Sequence, residues 1–159
     1  MMVVKNKSRR TLEEIAETGY CSIEDFIILR NILINDSFVI VGNKQSGVPL
    51  LVAMLCDVYR EELKTRIYTI FEEDTSYDYK IQKSLGDDVD RILFQNITNI
   101  NTLFDAEMLV ERGKKVMAIV DPDSAVPLNF NGFKYVIELE THNSEINHNA
   151  HIKSITKIN

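Results

Sequence analysis

The chemistry this sequence offers is concentrated in eight consecutive residues, Gly42-Asn43-Lys44-Gln45-Ser46-Gly47-Val48-Pro49. Two glycines bound a polar loop between an apolar run and a helical pattern, with the spacing of the phosphate-cradling pattern G-x-x-x-x-G-K-[ST]. In that pattern backbone N–H groups surround the phosphates, a lysine supplies charge and a hydroxyl holds Mg²⁺. Here the lysine position is Val48 and the hydroxyl position is Pro49. Val48 carries no charge. Pro49 has neither a hydroxyl nor a backbone N–H to point at a phosphate. Lys44 lies inside the loop and could swing toward an anion, although a mid-loop lysine is ordinarily solvated.

Such a loop works only between a strand and a helix, so the flanking elements matter. Phe38-Val39-Ile40-Val41 is short, apolar and β-branched, and reads as a buried parallel strand. From Pro49 to Tyr59 the apolar period is helical, with Pro49 in the first turn, where its missing donor costs little. Two helices precede the strand. One begins at the capping box Thr11-Leu12-Glu13-Glu14 and stops at Gly19. The other begins at Ser22, with Glu24 and Asp25 in its first turn, and runs to about Asn35. Further strands are predicted at Arg66–Phe71, Arg91–Gln95 and Val116–Val120, and a helix from about Asn101 to Arg112 ending at Gly113. Val39, Ile40, Val41, Ile67, Ile70, Ile92, Leu93, Phe94, Met117, Ile119 and Val120 should form the core. Alternating strands and helices imply an α/β domain with a mostly parallel sheet. The tail reads as an antiparallel pair, Tyr135–Leu139 with His151–Ile155, and the polar stretch from Thr141 to Asn149 as its turn. His142, His148 and His151 then read as a polar hairpin tip, with metal binding the lesser alternative.

The order of these segments resembles the type II/type IV secretion ATPases, which power conjugation, secretion and type IV pili. Leu12 to Gly19 is similar to the leucine- and glutamate-rich helix before their ATP site, and Phe26 to Asn35 to their next helix. Phe38 to Gly42 resembles their P-loop strand. Arg66 to Ile70, then Glu73-Asp74-Thr75, resembles a strand and acidic "EDT" box with about two extra residues between. Asp90-Arg91-Ile92-Leu93-Phe94-Gln95-Asn96 is similar to the Walker B segment "DRIIVGE". Ala118 to Ala125 falls where that family has its histidine box, "TIHANSA". Tyr135 to Leu139, with Ile152 to Ile158, resembles the closing hairpin. The family's separate N-terminal domain has no counterpart, and about ten residues replace the helices between histidine box and closing strands.

The resemblance implies a RecA-like P-loop fold over residues 1–159, with residues 1–36 as a helical lead-in and 134–159 as the closing hairpin. It also implies a degenerate site. The Walker B acid is replaced by Asn96, preceded by Gln95, and amides cannot take a proton at neutral pH. The first histidine-box position is Asp121, whose charge would face phosphate in place of an imidazole. Glu73 and Asp74 preserve the acidic box in outline. Losing cation, metal ligand, acid and imidazole together is hard to reconcile with phosphoryl transfer, which depends on positioned charge. The expectation is a catalytically inactive ATPase-like subunit, with ATP and Mg²⁺ bound weakly at best. Its partners would be proteins: an intact secretion ATPase or further copies of itself. The alternatives are a nucleotide-binding NTPase using Lys44, Glu73 and Asp74, or a stand-alone interaction or DNA-associated module on the same fold.

Composition narrows the classes. With 45% hydrophobic and 26% charged residues, 159 residues suffice for one domain with a sizeable core. A net charge of −6 weakens any reading as a general nucleic-acid binder, the cluster Lys5, Lys7, Arg9 and Arg10 notwithstanding. Cys21 and Cys56 make no disulfide framework, and Cys56 should be a buried thiol. No run reaches the roughly 20 apolar residues of a membrane span, and the N-terminus lacks the apolar core of a signal peptide. The expected compartment is the cytoplasm.

Overall fold

Ser22 starts the first described helix, its Oγ accepting the Asp25 N–H at 3.0 Å. The structure, a computed structural model, describes residues 22–42, 48, 51, 52, 56, 64, 67–144 and 147–158. The expected helix from Thr11 to Gly19, Cys21 and most of the loop Gly42–Pro49 lie outside them. Helix α1 (Ile23–Asn35) leads into β1 (Phe38–Val41). There follow β2 (Ile67–Phe71), α2 (Tyr77–Ser84), β3 (Arg91–Ile97), α3 (Ile100–Glu111), β4 (Lys115–Val120), β5 (Tyr135–Ser144) and β6 (Asn147–Lys157).

The six strands form one sheet in the order β2-β3-β4-β1-β5-β6. All neighbours are parallel except β5 and β6. Central β1 aligns Phe38 with Met117 of β4 on one side and with Tyr135 of β5 on the other. Side chains alternate between the faces of a strand, so the sheet builds two cores. Phe38, Ile40, Leu93, Met117, Ile119 and Ile137 pack with Leu29 and Ile32 of α1 and with Val48, Leu51 and Val52, which come after β1. Val39, Val41, Phe94, Ala118 and Val120 pack on the other face with Leu103, Ala106 and Leu109 of α3. Val126, Phe130 and Phe133 join that second core, so the short segment between β4 and β5 covers the sheet there without a helix.

The two faces are set by chain order. The chain leaves β1 for the far edge and returns through β3 and β4, and parallel crossovers are right-handed. Val48, Leu51 and Val52 therefore cover one face, and α2, α3 and the β4–β5 connection cover the other. The predicted core residues are all buried except Ile67, which is half-buried because β2 is an edge strand. Cys56 is half-buried, not fully buried.

Three local expectations need correction. Thr141 to Asn149 is not a turn: Thr141–Ser144 pair with Asn147–Ala150, and the ladder runs to Ser144↔Asn147. Backbone hydrogen bonding carries a hairpin through polar residues without an apolar face. Helix α2 has no counterpart among the predicted elements; its sequence YDYKIQKS buries only Ile81 and Ser84, too little to show a periodic apolar stripe. Strand β3 also continues past Gln95 to Ile97, across a register shift between Phe94 and Ile97. Among the described residues, no helix is long and apolar enough to cross a membrane.

Candidate functional site

In an open parallel sheet, ligands bind beyond the carboxyl ends of the strands, where successive connections diverge to opposite faces. Here that point lies between β1 and β4. The Gly42 N–H donates to Val120 O at 3.2 Å, so the chain leaves β1 tied to the last residue of β4. Gly42 is buried. Asn43, Lys44, Gln45, Ser46, Gly47 and Pro49 lie outside the described residues. Val48, the residue at the lysine position, is helical and 8% exposed, packed in the core with Leu51 and Val52.

Beside β1, Asp121 comes directly after β4. Its N–H donates to Ile97 O at 3.2 Å, and its carboxylate accepts the Asp123 N–H at 2.9 Å. Its carbonyl accepts both the Ser124 N–H and the Ser124 hydroxyl. Asp121 thus organises the turn out of β4 while keeping its carboxylate at the rim. One strand further out, Gln95 is half-buried and pairs with Phe71 of β2. Asn96 is exposed with φ of 52°, the left-handed region that asparagine tolerates better than most residues. It forms the irregularity that lets Ile97 realign with Val120.

The acidic residues after β2 divide their work. Glu73 is exposed. Asp74 holds the start of α2: its carboxylate pairs with Lys80 and accepts the Ser76 N–H at 3.2 Å and the Ser76 hydroxyl at 2.9 Å. The bond from Lys80, then those from Ser76, hold its carboxyl at about 2, below its ordinary 3.8. Glu72, absent from the sequence-derived candidates, reaches across to β3. Its carboxylate accepts the N–H groups of Thr98 and Asn99 at 3.1 and 3.2 Å, and also the Thr98 hydroxyl. A carboxylate one residue past a strand, beside a neighbour ending in Thr-Asn at a helix start, is the signal that could have found it. Beneath it, Tyr77 donates to Asp105, joining α2 to α3. Burial first, and then that carboxylate, push its hydroxyl well above the ordinary tyrosine range.

The described side chains at the ends of β1, β3 and β4 are therefore amides, a hydroxyl and a carboxylate, with no cation. Lys80, nearby, is engaged by Asp74. Among the described residues, no three His, Cys, Asp or Glu side chains converge to hold a metal. His151 instead lies 3.2 Å from Glu140 across the hairpin.

Solved structures share this fold. The chain resembles the VirB11 ATPase from the Brucella suis type IV secretion system, a structure in complex with sulphate, with a TM-score of 0.64 and 13% identity. The match covers 96% of this chain and 64% of that one. A KaiC-like protein, PH0186 from Pyrococcus horikoshii OT3, aligns with a TM-score of 0.53 and 13% identity over 77% of this chain and 80% of that one. The fold is that of a RecA-like P-loop ATPase. At such identity the likeness is one of fold, and this chain spans about two thirds (64%) of the VirB11 chain. Compared by sequence, the chain matches no family model and no curated protein.

Proposed function

We propose that this chain is a catalytically silent ATPase-like subunit that acts in the cytoplasm through protein contacts, beside an active secretion or conjugation ATPase. The observation that carries the proposal is the burial of Val48 in the apolar core at the position where the phosphate-binding pattern needs a lysine. A side chain there serves packing among Leu51, Val52 and the sheet. The neighbouring strand ends support the same reading. Asn96 is spent on a left-handed backbone irregularity, and Asp121 sets a carboxylate where negative charge would meet phosphate. The described residues do not supply the charge that Mg²⁺–ATP requires, so no catalytic step is assigned to them.

The test is turnover. Purified chain incubated with ATP and Mg²⁺ should release no phosphate above a protein-free blank. Turnover that disappears in Lys44→Ala or Glu73→Ala would show that the loop has rebuilt its charge and would overturn the proposal. Co-purification with an intact VirB11-like ATPase from the same cell is the expected sign of the partner role.

A further inference from the structure

We propose that Asn131-Gly132 is a self-modification site: in water, without an enzyme, the folded chain converts Asn131 to aspartate and isoaspartate, and the product loosens the segment between β4 and β5. Asn131-Gly132 is the one Asn-Gly pair in the sequence. The reaction needs an asparagine side chain with room to bend back over the next peptide unit. It also needs a following residue that leaves that peptide nitrogen uncovered. Glycine, lacking Cβ, leaves it most open.

The fold presents the pair in that way. Phe130 and Phe133 are 5% and 0% exposed and anchor the segment in the core shared with α3. Asn131 and Gly132, between them, are both exposed. Gly132 holds φ of 83°, so the chain bends there over a left-handed residue. Asn131 meets α3 through its backbone, its N–H donating to Glu107 Oε1 at 3.4 Å. The step itself is balanced by water alone. The Gly132 nitrogen gives up its proton and attacks Asn131 Cγ, the bond from Cγ to the side-chain nitrogen breaks, and ammonia leaves as a cyclic imide closes. Water then opens the imide at either carbonyl. One opening gives aspartate; the other gives isoaspartate, in which the main chain runs through the former side chain. Both products set a second carboxylate beside Glu107, and like charges repel. Isoaspartate also lengthens the main chain by a carbon between two anchored phenylalanines. The site is remote in chemistry from the nucleotide-site rim, and its reaction does not depend on whether the chain hydrolyses ATP.

Ageing the purified full chain in mildly alkaline buffer tests it, with ammonia release and peptide mass spectrometry as readouts and a guanidinium-unfolded sample as reference. The folded chain should lose the Asn131 amide within about ten-fold of the unfolded rate, because the fold leaves the pair accessible. Asn129, equally exposed but followed by Phe130, is the internal control and should keep its amide over the same period. Isoaspartate methyltransferase should label the aged chain. The urea midpoint of the aged chain should fall below that of the fresh one. Asn131→Gln closes the larger ring far more slowly, so it should release no ammonia from this site and keep its midpoint on ageing. Folded Asn131 that reacts more than about ten-fold slower than unfolded overturns the proposal. So does amide loss shared equally with Asn129, or an aged chain whose urea midpoint is unchanged.

Discussion

A carboxylate and an amide near the rim, Asp74 and Asn96, have their geometry set by the backbone around them. Asp74 gathers the Ser76 N–H, the Ser76 hydroxyl and the Lys80 ammonium, and so fixes the first turn of α2. Because its folded carboxyl titrates at about 2 and its unfolded one near 3.8, the stabilisation is complete above 3.8. It is lost as pH falls through 2. A side-chain carboxyl NMR titration should place the Asp74 midpoint near 2, and Lys80→Ala should return it toward the ordinary range. Asn96 holds φ of 52°. A β-branched residue there would cost about 1–2 kcal/mol, while glycine would cost little. Urea denaturation should therefore separate Asn96→Val from Asn96→Gly, with the valine variant the weaker. At this scale the sequence is partly legible. Asp74, Asn96 and Asp121 stand out by type and position. Their local roles do not, because a left-handed φ or an Asx turn leaves no mark in composition.

Between elements, the decisive contact is Glu72 on the start of α3. A carboxylate just ahead of a helix holds the N–H groups that lead into it and meets the positive end of the helix dipole. Glu72 meets the Thr98 and Asn99 N–H groups, while Asn99 itself accepts from Asn101 N at 2.8 Å. Removing it in Glu72→Ala should cost about 1 kcal/mol, measurable as a lower urea midpoint, and Glu72→Gln should lose less because its amide oxygen still accepts. Elements with a strong pattern are legible nearly to their ends. β1 and β4 are apolar runs buried on both faces, β3 carries a buried apolar run from Ile92 to Phe94, and α3 closes where Gly113 takes φ of 89°. Helix α2 and the outer half of the hairpin escape sequence reasoning for one reason: α2 buries only Ile81 and Ser84, and the hairpin's outer half is a run of mostly polar residues joined by backbone pairing, so neither shows an apolar period.

At the scale of the molecule, the strand order places the end of β1 at the crevice where the fold can hold a ligand, and two cores on opposite faces hold it there. That architecture is legible because parallel strands buried on both faces read as continuous apolar runs. The candidate site is legible only as a set of departures, since sequence alone does not show that Val48 is consumed by packing. Whether the chain still engages nucleotide depends on charge. ATP must be desolvated, which is favourable only where fixed positive charge and Mg²⁺ replace water. Backbone amides and a helix dipole contribute about 1–2 kcal/mol toward an anion, too little for tight binding. Isothermal titration calorimetry of the full chain with Mg²⁺–ATP tests this most directly. The expected result is no saturable heat at micromolar ligand, with Lys44→Ala indistinguishable from the native chain; micromolar affinity lost on changing Lys44 would contradict it.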